Sequence, residues 1–217
     1  MDHVVGEVQG DFIQWKIGVL DCLGEDLKGK TLLIVGGTGA VGTATTLVAR
    51  ARGADVIRTT RTDRELEEVP PALREGKYIF LDRTPDIQTA VRDLTKNEGV
   101  HFALNMVGSA TFEPTLNSLR EFGKFVAISS VPDHRVGFNL LEFYRKQLTI
   151  FGVNTLLLSF TQCGSLLKRM MKEVGSDLKK VEDPQLGSLL RPFKDAKSAY
   201  EDMMSGKSRK VVLVMSD

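Results

Sequence analysis

The residues from Gly37 to Gly42 carry the strongest chemical signal in this sequence. They read Gly-Thr-Gly-Ala-Val-Gly, follow the apolar run Thr31 to Val35, and open a stretch with apolar side chains at helical spacing. Between a buried strand and a helix, such glycines suit a dinucleotide pyrophosphate, because they permit a tight turn, close ligand approach and close helix packing. The helix N-terminus would then present main-chain amides to the phosphates. We therefore predict that Gly37, Thr38, Gly39, Ala40, Val41 and Gly42 bind a nucleotide; the alternative is an ordinary glycine-rich turn.

The end of the second predicted strand indicates which dinucleotide would bind. A site for NAD places an acidic residue about 20 residues after the glycines, where it binds the ribose 2′-hydroxyl. Here the sequence runs Arg58-Thr59-Thr60-Arg61-Thr62-Asp63-Arg64, and its only acid, Asp63, comes late. A guanidinium suits a phosphate dianion, so Arg61, supported by Thr60 and Arg64, favours NADP(H). The alternative is a solvated loop in which the arginines pair with Asp63 and Glu65.

Two further strand ends are expected at the same edge of the sheet. The fourth strand ends in Asn105-Met106-Val107-Gly108 and the fifth in Ser129-Ser130-Val131. Ligands of open α/β sheets bind outside the carboxyl ends of the strands. We therefore include Met106, Val107, Gly108, Ser129 and Ser130 in the predicted cofactor site, with Gly108 beside a ribose and the serines near a carboxamide.

Apolar runs alternate with helical patterns along most of the chain. This alternation predicts an α/β, doubly wound fold with a mostly parallel sheet of six or more strands and helices on both faces. Strands are expected at Thr31–Val35, Asp55–Thr59, Tyr78–Leu81, Phe102–Met106, Phe125–Ile128, Leu148–Phe151 and Val211–Val214. Helices are expected at Phe12–Leu23, Val41–Ala51, Pro85–Lys96, Leu116–Phe122, Leu140–Lys146, Cys163–Val174 and Asp195–Met204.

The length of 217 residues predicts a single domain. Within it we expect an N-terminal helical segment over 1–29 that packs on the sheet, a dinucleotide-binding core over 30–155, and C-terminal helices with a final strand over 156–217.

Composition excludes several other classes of protein. The formal net charge of +1 gives no general attraction to nucleic acid or to an anionic membrane, and no apolar run is long enough to cross one. Two cysteines without a CxxC spacing and three dispersed histidines predict neither disulfides nor a metal site. The acidic N-terminus is unlike a secretory signal, so a cytoplasmic location is expected. No catalytic proton donor can be assigned, since Tyr144 and Lys146 have no supported position over the cofactor.

The ordered set of motifs resembles the medium-chain dehydrogenase/reductase superfamily, nearest its zinc-free quinone oxidoreductase and enoyl reductase branches. The resemblance runs through Gly29 to Gly42, Glu98 to Gly108 and Leu119 to Ile128, and resumes at Phe138 to Val153. It closes with Pro192-Phe193-Lys194-Asp195-Ala196 and with Ser205-Gly206-Lys207 ahead of Val211.

The resemblance implies a Rossmann domain that binds NADPH, hydride transfer from the nicotinamide, and a homodimer joined through a sheet edge near the sixth strand. Members of the superfamily also carry a GroES-like catalytic domain of roughly a hundred residues or more ahead of this region. Nothing in this sequence corresponds to that domain, which supplies most of the substrate cleft.

Three hypotheses about function follow. The first is the NADP(H)-binding domain of a zinc-independent oxidoreductase that transfers hydride to a quinone, enone or enoyl thioester, so that its partner would be a small hydrophobic carbonyl or enone substrate. The second is a non-catalytic NADPH-binding sensor or interaction module. The third is a structural subunit with a vestigial pocket that binds no nucleotide.

Overall fold

The computed structural model describes residues 23–24, 26–84, 86–131, 133–154, 157–178, 190–205 and 211–215. The strands are β1 Thr31–Val35, β2 Asp55–Thr60, β3 Lys77–Phe80, β4 Val100–Asn105, β5 Leu119–Ala127, β6 Thr149–Gly152, β7 Leu190–Pro192 and β8 Val212–Val214. The helices are α1 Ala40–Ala51, α2 Asp63–Glu67, α3 Pro71–Arg74, α4 Ile87–Leu94, α5 Phe112–Asn117, α6 Leu140–Arg145, α7 Phe160–Leu178 and α8 Ala196–Met204. Short 3₁₀ turns at Ser109–Thr111 and Phe193–Asp195 precede α5 and α8.

Six strands form one parallel sheet in the order β3-β2-β1-β4-β5-β6. Strand β1 is apolar without alternation and its last four residues are buried, as a central parallel strand covered on both faces requires. The strand order reverses between β1 and β4, where ligands of doubly wound sheets bind. The predicted fold class is confirmed, with the refinement that this sheet is entirely parallel.

Helices cover both faces of the sheet. On one face, Leu32 and Ile34 of β1 pack with Val48 of α1 and with Met170 and Val174 of α7. An ion pair between Arg52 Nε and Glu173 Oε2, at 3.0 Å, also links the end of α1 to α7. On the other face, Leu33 and Val35 of β1 belong to a second buried cluster with Val91 of α4, Leu116 of α5 and Phe125 of β5.

The predicted helix over Leu116–Phe122 is wrong beyond Asn117. Helix α5 ends there, and the chain enters β5 at Leu119. Leucine and phenylalanine every third residue gave this segment a helical pattern, but Phe122 has a positive φ of 60° and is 66% exposed. The pairing of β4 with β5 also shifts register between Val100 and Phe102, and this irregularity interrupts the alternation typical of a strand.

The C-terminal part holds a second, two-stranded parallel sheet of β7 and β8. Helix α8 and the final strand were expected from the sequence, whereas β7 was not. The predicted N-terminal helix, Phe12–Leu23, lies outside the described residues except for Leu23, which is buried.

Candidate functional site

The glycine loop, residues 36–39, leaves β1 at the carboxyl edge of the sheet and leads into α1. Two of the predicted glycines are explained by packing within the protein. A Cβ on Gly37 would lie 2.6 Å from the Cβ of Arg58, and a Cβ on Gly42 would lie 2.5 Å from the Gly36 carbonyl oxygen. Gly42 therefore lets α1 pack closely on the loop, as the motif predicts.

Gly39 differs from the other two because the fold does not require a glycine there. Its φ of −69° and ψ of 167° are open to any residue, and a Cβ would have the Gly36 carbonyl oxygen, 3.6 Å away, as its nearest neighbour. Gly39 and Ala40 are exposed, and Thr38 and Val41 are half-buried. The second glycine of the motif thus borders open space at the start of the helix.

The N-terminus of α1 has free capacity to bind an anion. Gly39 is its N-cap, no side chain of the described residues caps it, and its first turn holds no acidic residue. The first amides of a helix lack partners inside the helix and lie at the positive end of its dipole. This geometry fits the pyrophosphate of a dinucleotide.

The end of β2 brings together the residues predicted to select NADP(H), but several already have partners. Arg61 Nε donates to Glu65 Oε1 at 2.5 Å, and the Arg61 main-chain N donates to Glu65 Oε2 at 3.1 Å. The hydroxyl of Thr60, which is buried, donates to the Thr62 carbonyl at 3.0 Å. The Arg64 Nε lies 3.9 Å from Glu68 Oε1. The side chains of Arg61 and Arg64 are 71% and 79% exposed, so both can still meet a ligand.

Asp63, the acid considered for this region, pairs with the loop after β3. Arg83 donates from both terminal nitrogens to the Asp63 carboxylate, at 2.8 and 2.9 Å, and its guanidinium stacks on Phe80. The hydrogen bond from Arg83 lowers the pKa of Asp63. Of the local pairing considered as the alternative for this loop, the Arg61–Glu65 pair is therefore present, whereas Asp63 pairs with Arg83 instead of a loop arginine.

The loop after β4 is organised by Asn105, which sequence reasoning did not single out. Its buried Oδ1 accepts hydrogen bonds from the N–H groups of Val107 and Gly108, both at 2.9 Å, and from the Thr111 hydroxyl at 3.1 Å. Its Nδ2 donates to the Gly108 carbonyl at 2.9 Å. An asparagine followed three residues later by glycine at a strand end was the available signal. Met106 is half-buried and Val107 is 40% exposed at the same edge.

The loops after β4 and β5 are joined at Gly108. Its φ is 110°, and a Cβ there would lie 2.1 Å from the Val131 carbonyl oxygen. The Ser109 N–H donates to that oxygen at 3.1 Å, and the Asp133 N–H donates to the Ser109 hydroxyl at 3.1 Å. Close packing on Val131 accounts for the glycine, so its predicted position beside a ribose stays a prediction.

The predicted serines lie at the end of β5. Ser129 is half-buried, whereas Ser130 is exposed and its Oγ lies 3.1 Å from Nδ1 of His134. Sequence reasoning did not pair these two residues. Their predicted contact with a carboxamide stays a prediction.

Arg58 lies beneath the glycine loop and was also missed as a structural residue. It is fully buried, and its Nη2 donates to the carbonyls of Arg74 and Glu75, at 3.3 and 2.6 Å. Its guanidinium lies over the ring of Tyr78, while Nε and Nη1 have no partner among the described residues. Desolvation lowers the pKa of Arg58 to about 10.

The structure places Tyr144 and Lys146, the two residues considered as proton donors, as follows. The Lys146 ammonium donates to the carbonyls of Asn117 and Leu119, at 3.3 and 3.1 Å, and Tyr144 is 59% exposed on α6.

No helix in the described ranges has the length and apolar content that crossing a membrane requires.

Residues 40–170 match the family model of zinc-binding dehydrogenases, and this segment is more than half of the chain. The chain belongs to the zinc-binding dehydrogenase family. The superfamily predicted from the sequence is thereby confirmed.

Relatives of this dehydrogenase-family chain include larger enzymes. The highly reducing polyketide synthase PKS6 of Gibberella zeae is 26% identical over 190 residues, which cover 87% of this chain and 7% of that protein. A zinc-type alcohol dehydrogenase-like protein of Schizosaccharomyces pombe is 28% identical over 201 residues, covering 89% of this chain and 55% of that protein. The chain therefore spans about half of the dehydrogenase-like relative and a small part of the polyketide synthase.

Two solved structures share the fold of this chain. AibC superimposes with a TM-score of 0.73 at 25% identity, over 94% of this chain and 54% of its own. The quinone oxidoreductase of Escherichia coli, solved with NADPH, gives a TM-score of 0.74 at 21% identity, over 95% of this chain and 63% of its own. The second match shows a shared fold.

The family's name implies zinc, but the described residues do not fit it. Within them, no group of three or more His, Cys, Asp or Glu side chains could hold a metal ion.

Proposed function

We propose that this chain is the NADP(H)-binding part of a zinc-independent oxidoreductase that transfers hydride to a quinone, an enone or an enoyl thioester. The observation that carries the proposal is the uncapped N-terminus of α1 beside the open space at Gly39. The family membership supports nucleotide binding at this edge. The names of the polyketide synthase and quinone oxidoreductase relatives support the class of acceptor.

In this proposal the described residues form one wall of a reaction site. When bound, NADPH would supply the hydride, and the acceptor also takes up a proton. The amides of Ala40 and Val41 would hold the pyrophosphate, and the half-buried Met106 and exposed Val107 would line the same edge of the sheet. Hydride transfer needs donor and acceptor at about 3–3.5 Å with water excluded, and a second wall would have to provide that exclusion. Zinc independence, a homodimer through a sheet edge and a cytoplasmic location stay predictions.

The preference for NADP(H) over NAD(H) is proposed to depend on Arg61. Its guanidinium is 71% exposed and is held at one end by Glu65, which leaves its terminal nitrogens to bind a 2′-phosphate. Hydrogen bonds to charged groups contribute about 1.5–3 kcal/mol. We therefore expect Arg61→Ala to weaken NADPH binding by about 10- to 100-fold and to leave NADH binding within about twofold.

Side-by-side calorimetric titration of both dinucleotides tests this proposal. Arg64→Ala is the comparison variant, because Arg64 is similarly exposed three residues later and is assigned only a supporting role. Equal loss of NADPH and NADH affinity in Arg61→Ala would contradict the 2′-phosphate role. Failure of the unmodified chain to bind either dinucleotide would contradict the proposed function as a whole.

Turnover separates an enzyme from a binding module. The chain would be assayed with NADPH and a panel of quinones and enones. Turnover of any acceptor by the chain alone would exclude a non-catalytic sensor or interaction module. NADPH binding without turnover would agree both with such a module and with a chain that needs a second wall for catalysis.

A further inference from the structure

The glycine loop is hydrogen-bonded to one buried residue of the neighbouring strand, Thr59. Thr59 of β2 is 1% exposed, and its Oγ1 accepts a hydrogen bond from the Gly36 N–H at 3.0 Å. Its main-chain carbonyl accepts another from the Gly37 N–H at 3.1 Å. Two consecutive amides of the loop are thus fixed by a residue that lies 23 positions away in the sequence.

The hydrogen bond from the Gly36 N–H to the Thr59 hydroxyl affects the helix as well, because Gly36 also contacts the N-cap of α1. Gly36 has a φ of 87°, a backbone conformation that glycine adopts without the steric cost other residues incur. Its carbonyl accepts the Gly39 N–H at 3.3 Å, and Gly39 is the N-cap of α1. The Thr59 hydroxyl therefore fixes the orientation of Gly36, and Gly36 in turn fixes the start of the helix.

We propose that Thr59 is a positioning residue for the nucleotide site, setting dinucleotide affinity through Gly36 rather than through contact with the ligand. This inference rests on the proposed function. Without the hydroxyl, the Gly36 N–H would lose its acceptor. Rotation of Gly36 would let water hydrate that amide, but it would turn the Gly36 carbonyl away from Gly39 and displace the amides that face the pyrophosphate.

The chain offers a matched control at the opposite edge of the sheet. The Thr95 Oγ1, after α4, accepts a hydrogen bond from the Gly99 N–H at 3.0 Å, and Gly99 has a φ of 79°. The length of this bond and the glycine conformation match those at Gly36, but Thr95 is half-buried and its hydroxyl also donates to the Val91 carbonyl at 2.7 Å. Thr95 lies where the chain enters β4, at the amino edge, away from the candidate site.

The experiment compares Thr59→Val with Thr95→Val by calorimetric titration with NADPH and by thermal unfolding. We expect Tm to fall in both variants, because each loses the hydrogen bond from a glycine N–H. We expect NADPH affinity to fall about tenfold, equivalent to ~1.4 kcal/mol, in Thr59→Val and to stay within about twofold in Thr95→Val. Thr59→Ser, which keeps the hydroxyl, should bind NADPH within about twofold of the unmodified chain.

Titration with a second ligand distinguishes a displaced glycine loop from a general loss of folded structure. Adenosine 2′-monophosphate lacks the pyrophosphate, so its affinity should be unchanged in Thr59→Val. If Thr59→Val does not fold, Thr59→Ser against Thr59→Ala gives the same comparison of the hydroxyl.

Unchanged NADPH affinity without the Thr59 hydroxyl, or an equal loss in Thr95→Val, would overturn the inference while leaving the proposed function intact. Absence of NADPH binding by the unmodified chain would instead remove the proposed function, and the inference with it.

Discussion

The two glycines at either end of the first turn of α1 should respond to substitution in opposite ways. Gly39→Val places a side chain in open space, with a backbone conformation that valine adopts readily. Gly42→Ala adds one methyl group, but that group would lie 2.5 Å from the Gly36 carbonyl oxygen and 2.7 Å from the Gly37 Cα. The larger substitution should therefore be the better tolerated by the fold.

The expected magnitudes follow from these contacts. Overpacking at Gly42 should cost ~1–3 kcal/mol, and each kcal/mol lowers Tm by about 2–4 °C in a chain of this size. Valine is a weaker N-cap than glycine, which should cost less than ~1 kcal/mol. For binding, a valine at Gly39 that keeps the pyrophosphate from two amides loses two charge-assisted bonds of ~1.5–3 kcal/mol each. That loss corresponds to at least 100-fold in the Kd of NADPH.

Thermal unfolding and calorimetric titration of both variants provide the assay. Gly39→Val should keep a Tm near that of the unmodified chain and lose measurable NADPH binding, while Gly42→Ala should lose more Tm. The phosphate assignment is refuted if Gly39→Val binds NADPH normally. A Tm for Gly39→Val below that of Gly42→Ala would refute the packing argument.

Two further predictions concern one buried cation, Arg58, and one titrating histidine, His101. Arg58→Met should change Tm by less than about 5 °C, because removing a buried charge without a carboxylate partner among the described residues offsets the loss of its hydrogen bonds to the carbonyls of Arg74 and Glu75; a larger fall would contradict this. His101 accepts the Thr31 N–H at Nδ1, and burial, followed by the charge of Arg120, lowers its pKa. The unfolded chain therefore binds this proton first, so the free energy of unfolding should fall as pH drops below about 6.5. His101→Asn should reduce that fall in denaturant titrations between pH 8 and 5, and an unchanged pH dependence would argue against it.

The central elements were predictable because their signals are local. Strand β1 is a continuous apolar run, the glycine motif follows it, and α1 shows regular helical spacing. The fold class follows from repeating such signals along the chain. The start of β5 was not predictable, because a register shift against β4 and a positive φ at Phe122 interrupt its pattern.

Parts of the candidate site depend on contacts that no local pattern reveals. The roles of Thr59 and Arg58 arise because strand β2 meets the glycine loop in space, although it lies more than 20 residues away in sequence. The pairing of Arg61 with Glu65 was anticipated only as an alternative, since an arginine near acids fits either a ligand site or a local ion pair. The buried amide of Asn105 organises a local loop, but its type alone gave no reason to expect four hydrogen bonds.

The loops after β1, β4 and β5 pack against one another, and this packing limits how the chain could be re-engineered. The Val107 side chain would lie 3.3 Å from a Cβ on Gly36, and Gly108 allows no side chain beside Val131. The loop after β4 is therefore wedged between its two neighbours, and inserting or deleting residues there would distort both. Arg61 follows β2, on the other side of β1 from this wedge. If Arg61 selects the coenzyme as proposed, its preference could thus be exchanged by grafting the β2–α2 connection alone, whereas grafts of the other three loops would have to be made together.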